Sequence, residues 1–169
     1  MTESKTICIA GASGLVGANL TKAALARGYQ ARGTLRDSSD TERARHLYAL
    51  AGARERLALF SVDMSRPGAF DEALSNADAV FIACLIPTYS GPSGKPSREM
   101  DDQQGEKEIV MPTVDGCLNI LRSVPDAGIP YVIICWRKVG SDSSDLICKL
   151  VATAATLGNR LRPAYPQTS

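Results

Sequence analysis

The chain has 169 residues, of which 19 are lysine or arginine and 18 are aspartate or glutamate, with 44% hydrophobic and 5% aromatic residues. This length and apolar content predict one folded domain and exclude an intrinsically disordered chain. A net charge of +1 provides no general attraction for nucleic acid or an anionic membrane, so we expect neither as a partner.

The sequence also shows no sign of a membrane anchor or a signal peptide. Its apolar stretches near either end fall short of the roughly 20 residues that a spanning helix needs. The five cysteines are widely spaced and form no Cys-x-x-Cys or Cys/His cluster. We therefore expect a reducing, cytoplasmic compartment and no metal site.

Short apolar runs alternate with helical patterns along the chain. Strands are predicted at 6–10, 30–36, 57–62, 79–83 and 131–135. Helices are predicted at 14–27, 43–50, 65–74 and 106–124, with Pro112 expected to kink or break the last one. The breaker-rich stretch from Pro87 to Pro96 predicts a surface loop. This alternation indicates an α/β fold, a doubly wound and mostly parallel sheet with helices on both faces.

Three glycines at a three-residue spacing follow the first predicted strand. At such a turn Gly11 can adopt a positive φ, Gly14 lets the backbone approach a pyrophosphate, and Gly17 lets the helix pack closely on the strand. The free N–H groups around Leu15 and Val16 would then face the phosphates. The place of this motif favours nucleotide binding over a merely tight turn. The candidate cofactor-binding residues here are Gly11, Ser13, Gly14, Leu15, Val16 and Gly17.

The end of the second predicted strand bears on which nicotinamide cofactor binds. Arg36 can form charge-assisted bonds to the 2′-phosphate of NADP(H), which favours that cofactor, although it could also be a solvated strand-end charge. The carboxylate of Asp37 could accept a bond from a ribose 2′-hydroxyl, which leaves NAD(H) possible. Arg32, Arg43 and Arg45 could add positive potential, although charges on a helix are usually solvated.

Other candidate residues follow later strands. Asp63 and Met64 end the third strand at the carboxyl edge of the sheet, where Asp63 could meet the adenine or form a turn. His46 is the only histidine, so a triad or multi-histidine metal site lacks partners. Cys135 could have a depressed pKa beside basic residues or be a small buried hydrophobe. Asp101-Asp102 is better explained as a helix cap than as a metal pair.

These segments together resemble the extended short-chain dehydrogenase/reductase family, within the epimerase/dehydratase superfamily, and especially its dihydroflavonol-reductase and cinnamoyl-CoA-reductase-like branch. The resemblance covers about residues 5 to 134, and the matching segments are 11–17, 32–37, 51–57, 63–64, 67–73, 78–83 and 109–121. It implies a Rossmann-like fold, NADP(H) as the cofactor and a small carbonyl or alcohol substrate. It also implies a nicotinamide contact through the backbone at Ala83.

The catalytic group of that family is not found in this sequence. The resemblance implies a tyrosine that donates the proton, a lysine that lowers its pKa and a serine that orients the substrate oxygen. The serine position after the fifth strand falls in Cys135-Trp136-Arg137, and no tyrosine is followed four residues later by lysine. We therefore assign no catalytic residue.

The chain is accordingly interpreted in two parts. Residues 1–134 are predicted to form an NAD(P)-binding domain and residues 135–169 a divergent tail, so that the fold is truncated and incomplete at its C-terminal half. We predict the NADP(H)-binding domain of a reductase, catalytically impaired in this chain. The alternative is a non-catalytic nucleotide-sensing or protein-interaction domain. An exposed edge of the sheet predicts self-association.

Overall fold

The computed structural model describes residues 4–84, 91–137 and 146–152, and in them one sheet carries the fold. Its strands are β1 (Thr6–Ala10), β2 (Gln30–Leu35), β3 (Leu57–Ser61), β4 (Ala79–Ile82), β5 (Tyr131–Arg137) and β6 (Leu146–Ala152). The α-helices are α1 (Leu15–Ala26), α2 (Thr41–Tyr48), α3 (Ala53–Arg56), α4 (Asp71–Leu74), α5 (Asp102–Gly105) and α6 (Met111–Asp126). A 3₁₀ turn occupies Ser97–Glu99.

The order of the strands across the sheet is β3-β2-β1-β4-β5-β6, and β1 to β5 are parallel. The chain moves outward from β1 to β3, then returns to place β4 on the other side of β1. The predicted doubly wound α/β sheet is therefore confirmed. In such sheets the point where the strand order reverses leaves a crevice beyond the carboxyl ends of the strands, where ligands bind.

Alternating residues of the central strands face two hydrophobic clusters. On one face Cys8 and Ala10 of β1 share a cluster with Phe70, Val80 and Ile120, close to α4 and α6. On the other face Ile9 packs with residues that include Leu25 of α1 and Leu47 of α2. Because both faces of β1 are covered, its carboxyl end and the turn that follows are held from both sides.

The helix predicted at 65–74 is much shorter in the structure. Gly68 has a φ of +74°, which interrupts a right-handed helix, and α4 begins only at Asp71. The dipeptide Pro67-Gly68 is a turn signal that the sequence reading treated as a helix start. The shorter helix leaves room for a loop between β3 and α4.

Pro112 does not break the predicted long helix. Instead a π-helical turn, Glu106–Val110, lies between α5 and α6, and Pro112 sits in the first turn of α6. Proline has no N–H and its ring crowds the carbonyl four residues before it, so a wider turn ahead of it relieves the clash. The part of the predicted 87–96 loop that begins at Gly91 contains turns, and residues 87–90 lie outside the described residues.

The sixth strand was not predicted from the sequence. β6 pairs antiparallel with β5, with Cys135 opposite Cys148, and a register shift falls between Val132 and Ile133. It belongs to the predicted tail, of which residues 138–145 and 153–169 lie outside the described residues. The sequence analysis expected the sheet to end after five strands, whereas here β6 covers one edge of β5. Within the described ranges, none of the helices is long and apolar enough to cross a membrane.

Candidate functional site

The turn between β1 and α1 has the conformation that its glycines suggest. Gly11 has a φ of +85°, and its carbonyl accepts a 3.2 Å bond from the N–H of Gly14. Gly17 is buried, and a Cβ there would overlap the Gly11 carbonyl oxygen and lie 2.8 Å from Cα of Ala12. A side chain at position 17 would thus push α1 away from the turn.

Thr34 holds this turn from β2. Its hydroxyl accepts a bond from the N–H of Gly11 at 3.2 Å, and its carbonyl accepts one from the N–H of Ala12 at 2.8 Å. Thr34 is only 3% exposed, so little water can compete for these two bonds. The sequence analysis missed Thr34, and the available signal was a hydroxyl residue near the carboxyl end of a strand that follows the glycine motif.

The amino end of α1 points its unpaired backbone donors at the same place. The first N–H groups of an α-helix have no intrahelical partner, and here no acidic side chain stands in the first turn. Gly14 caps the helix without a side chain. This end of α1 therefore offers donors and the positive end of a helix dipole to an anion.

A cleft of about 650 Å³ opens at the carboxyl ends of β1 to β4. Its lining residues are Gly11, Ser13, Gly14, Thr34, Leu35, Arg36, Val62, Asp63, Met64, Phe70, Ala83 and Cys84. The structure thus brings together most of the candidate residues from the sequence. Leu15, Val16 and Gly17 are not among the lining residues: Gly17 is buried, and the side chain of Leu15 is 82% exposed.

A second hollow of about 300 Å³ shares Ser13, Leu35 and Arg36 with this cleft and is completed by Asp37 and Arg43. The Nε of Arg43 lies 3.2 Å from the carboxylate of Asp40, the N-cap residue of α2. One carboxylate oxygen of Asp37 accepts from Ser39, from its N–H at 2.9 Å and its hydroxyl at 2.6 Å. These bonds lower the pKa of Asp37 and commit that oxygen to the turn.

The loop after β3 has two fixed points. The carboxylate of Asp63 accepts from the hydroxyl of Ser65 at 2.7 Å and from its N–H at 2.9 Å, and these bonds lower the pKa of Asp63. The charge of Arg66, whose Nε lies 3.9 Å from the Asp63 carboxylate, lowers that pKa further, and the charge of Arg36 acts in the same direction. The carbonyl of Met64 accepts a 3.0 Å bond from the side-chain amide of Asn119. Asp63 is therefore both a turn former and a lining residue of the cleft.

The other arginines of the sequence analysis have different surroundings. The guanidinium of Arg32 donates to the carbonyls of Glu72 at 2.7 Å and Ala73 at 3.0 Å, and lies 4.6 Å from the ring centre of Phe60. Arg32 caps the carboxyl end of α4 and does not line the cleft. Its role here is to hold α4 against β2, and not to add positive potential to the cleft as expected. Arg45 is exposed on α2 and lines neither hollow.

Cys84 follows Ala83 at the β4 end of the cleft and was not predicted as a site residue. The N–H of Ala83 donates to the carbonyl of Ala10 at 2.9 Å, which ties this segment to β1. Burial raises the pKa of the Cys84 thiol to about 12, so it is protonated at neutral pH and is a poor nucleophile.

The remaining candidates fit their simpler interpretations. Asp101 caps α5 by accepting from the N–H of Gln104 at 2.8 Å. His46 is exposed and Cys135 is buried. In the part of the chain that the structure describes, no group of three His, Cys, Asp or Glu residues could hold a metal ion.

The residues that line this cleft lie within a part of the sequence that matches a known protein family. Residues 11–145 match the sequence model of a family described as NAD(P)H-binding. The chain belongs to this NAD(P)H-binding family. The cofactor class expected from the glycine turn is therefore confirmed.

The relatives confirm the reductase branch that the sequence resembles. The chain is 32% identical to dihydroflavonol 4-reductase of Hordeum vulgare over 95% of its own length and 39% of that protein. It is 37% identical to tetraketide alpha-pyrone reductase 1 of Arabidopsis thaliana over 69% of its own length and 32% of that protein. Gre2 from Candida albicans, crystallised with NADPH, superposes with a TM-score of 0.56 at 28% identity, covering 77% of this chain and 36% of Gre2. The chain thus spans well under half of these relatives.

Proposed function

We propose that this chain binds NADP(H) in the cleft, in preference to NAD(H), and that it does so without carrying out carbonyl reduction itself. The observation that carries the proposal is the arrangement of Arg36 and Arg43 around the smaller hollow, next to the glycine turn. Guanidinium groups bind phosphate through charge-assisted bonds, and NADP(H) has a phosphate that NAD(H) lacks.

The strand order supports one orientation for a cofactor in the cleft. The pyrophosphate would lie against the amino end of α1, near Ser13 and Gly14. The adenosine would extend over β2 and β3, since Arg36 lies beyond β2 and Met64 beyond β3. The nicotinamide would extend the opposite way, over β4, against Ala83 and Cys84.

Local charge supports the choice of cofactor. Arg36 and Arg43 both border the smaller hollow, opposed there by Asp37. One oxygen of Asp37 already accepts two bonds from Ser39, so it is less available to a ribose hydroxyl. Arg43 pairs with Asp40 through Nε, which leaves its other nitrogens as donors. We therefore expect the 2′-phosphate of NADP(H) to gain more binding energy in this hollow than the 2′-hydroxyl of NAD(H).

The proposal that the chain binds without reducing rests on the residues near the nicotinamide end. The sequence has no lysine four residues after any tyrosine. The thiol of Cys84 is protonated at neutral pH and supplies no base. A nucleotide-sensing role is the natural use of such a site, because cofactor binding would stabilise the fold without turnover.

Calorimetric titration with NADPH and with NADH tests the cofactor choice. We expect tighter binding of NADPH, a loss of roughly 10- to 100-fold for NADPH in Arg36→Ala, and little change for NADH. Arg43→Ala should act in the same direction. Arg45→Ala is the matched control, because it removes the same charge from the same helix without bordering the hollow. Equal affinity for both cofactors, or none for either, contradicts the proposal.

The absence of turnover needs a separate assay. Purified chain mixed with NADPH and a panel of aldehydes and ketones should show no loss of absorbance at the nicotinamide band above the protein-free rate. Reproducible carbonyl-dependent oxidation that disappears in Arg36→Glu would show that the chain is an enzyme with different catalytic groups.

We also propose self-association and a cytoplasmic location. Of the described strands, β3 and β6 each have one neighbour, so each presents an edge to another sheet. Cys8, Cys84 and Cys117 form no disulfide, which fits a reducing compartment. Sedimentation velocity over a range of concentrations tests the first point, and a concentration-independent monomer contradicts it.

A further inference from the structure

We infer that Asn119 and Gly116 of α6 are positioning residues for the adenine end of the cofactor site, acting through Met64. This inference rests on the proposed function. Neither residue lines the cleft, whereas Met64 does. The two residues lie three apart on α6 and therefore on one face of the helix.

Asn119 fixes the backbone of the β3–α4 loop. Its side-chain amide donates to the carbonyl of Met64 at 3.0 Å, across 55 positions of sequence. Asn119 is only 6% exposed, so little water can replace it as a donor. On the other side of Met64, Asp63 and Ser65 close their own turn. The loop is therefore held from both sides at the point where it borders the cleft.

Gly116 fixes the side chain of the same methionine. A Cβ at position 116 would overlap Cε of Met64 and lie 3.1 Å from its Cγ. The thioether therefore lies directly on the glycine surface of α6, and any side chain there would displace it. Because methionine is flexible, it would move rather than break the helix, and since Met64 lines the cleft, its displacement would change the shape of that lining.

The two residues predict different signatures. Asn119→Leu keeps the branching and the number of side-chain heavy atoms but leaves the Met64 carbonyl without its donor. Asn119→Asp places a carboxylate against that carbonyl, which repels it until the acid is protonated and can donate. Gly116→Ala should leave stability equal or higher, since alanine favours a helix interior, while it displaces Met64.

Titration of the full chain with adenosine 2′,5′-bisphosphate tests the inference, because this probe occupies only the adenine half. We expect roughly 3- to 10-fold weaker binding in Asn119→Leu. We expect weaker binding in Gly116→Ala without a fall in melting temperature. Ser123→Ala is the matched control. Ser123 is a buried polar residue one turn further along α6, and its hydroxyl donates to the Asn119 carbonyl at 3.4 Å. It should bind as tightly as the unsubstituted chain.

The pH profile separates positioning from general loss of structure. The affinity of Asn119→Asp relative to Asn119→Leu should rise as the pH falls from 8 towards 5, because the protonated acid restores a donor to Met64. A flat ratio, or binding by Asn119→Leu and Gly116→Ala equal to that of the unsubstituted chain, overturns this inference and leaves the proposed function intact. Failure of the unsubstituted chain to bind the probe overturns both.

Discussion

Gly17→Ala adds one methyl group at the point where α1 crosses the glycine turn. That methyl would overlap the carbonyl oxygen of Gly11 and lie 2.8 Å from Cα of Ala12, and real Cβ contacts are essentially never below 3.0 Å. All these neighbours are backbone atoms, so no side-chain rotation can relieve the overlap. The helix or the turn has to move instead.

The size of the effect follows from two opposed contributions. Alanine in place of glycine stabilises a helix by up to about 1 kcal/mol. Forcing an extra carbon into a packed site costs about 1–3 kcal/mol, and rigid backbone on every side favours the upper part of that range. We expect the free energy of unfolding to fall by about 2 kcal/mol. With a urea dependence of about 2 kcal/mol per molar, the unfolding midpoint should fall by about 1 M.

Urea unfolding followed by circular dichroism measures this change, and a second helical glycine supplies the control. Gly105 has a φ of −61°, and a Cβ there would meet nothing within 4 Å. Gly105→Ala should therefore stabilise the chain by about 0.5–1 kcal/mol. The reasoning is refuted if Gly17→Ala is as stable as the unsubstituted chain, or if the two substitutions shift the midpoint in the same direction.

Three further predictions concern Glu108, Cys84 and Arg32. Hydrogen bonds from Ser93 and Gln104 lower the pKa of Glu108. The ionised Glu108 carboxylate therefore adds to the free energy of unfolding at pH values above the ordinary carboxyl pKa of about 4.3. This contribution is lost as the pH falls through the lowered pKa of the folded chain. The difference in urea midpoint between the chain and Glu108→Gln should accordingly vanish in acid, and a difference that persists would contradict this. Cys84 is only partly buried, but its raised pKa should make it react with iodoacetamide at pH 8 far more slowly than in the urea-unfolded chain. NADPH should slow the reaction further, as peptide mass analysis would detect, and equal rates in the folded and unfolded chain would contradict the raised pKa. Arg32→Ala should lower stability by about 1–3 kcal/mol through loss of its bonds to α4, with NADPH affinity unchanged; weakened binding would place Arg32 in the site after all.

The glycine turn could be predicted because its requirements are local. The spacing of Gly11, Gly14 and Gly17 fits one strand-to-helix turn, and a Cβ at Gly14 or Gly17 would meet atoms of that same turn. A Cβ at Gly11 would instead meet Cys84, a contact that the spacing does not reveal. Arg36 was found for a similar reason, since it directly follows β2. Whether Arg43 belongs to the site could not be decided from the sequence, because the face of α2 on which it lies depends on where the helix begins. That start is set by the N-cap at Asp40.

What the sequence did not predict depends on distant partners. Thr34 and Asn119 act on residues 23 and 55 positions away, and no local pattern identifies those partners. The pairing of β6 with β5 is likewise a tertiary contact, although the run Leu146–Ala152 is apolar enough to suggest a strand. The wrong helix start at 65 has a different cause. Pro67-Gly68 is a local turn signal, but the apolar spacing that follows it led to a helix prediction across it.

The residues that line the two hollows all come from the first half of the chain, before α6 and β6. The lining residues of the larger cleft run from Gly11 to Cys84, and those of the smaller hollow from Ser13 to Arg43. The later helix α6 holds the Met64 carbonyl and packs Ile120 in the same cluster as Phe70. Strand β6 is an outer strand two places from β4. A cofactor bound in this cleft, as proposed, would contact residues that precede α6 and β6 in the sequence. Changes within β6 should therefore alter stability or association before they alter affinity for NADPH.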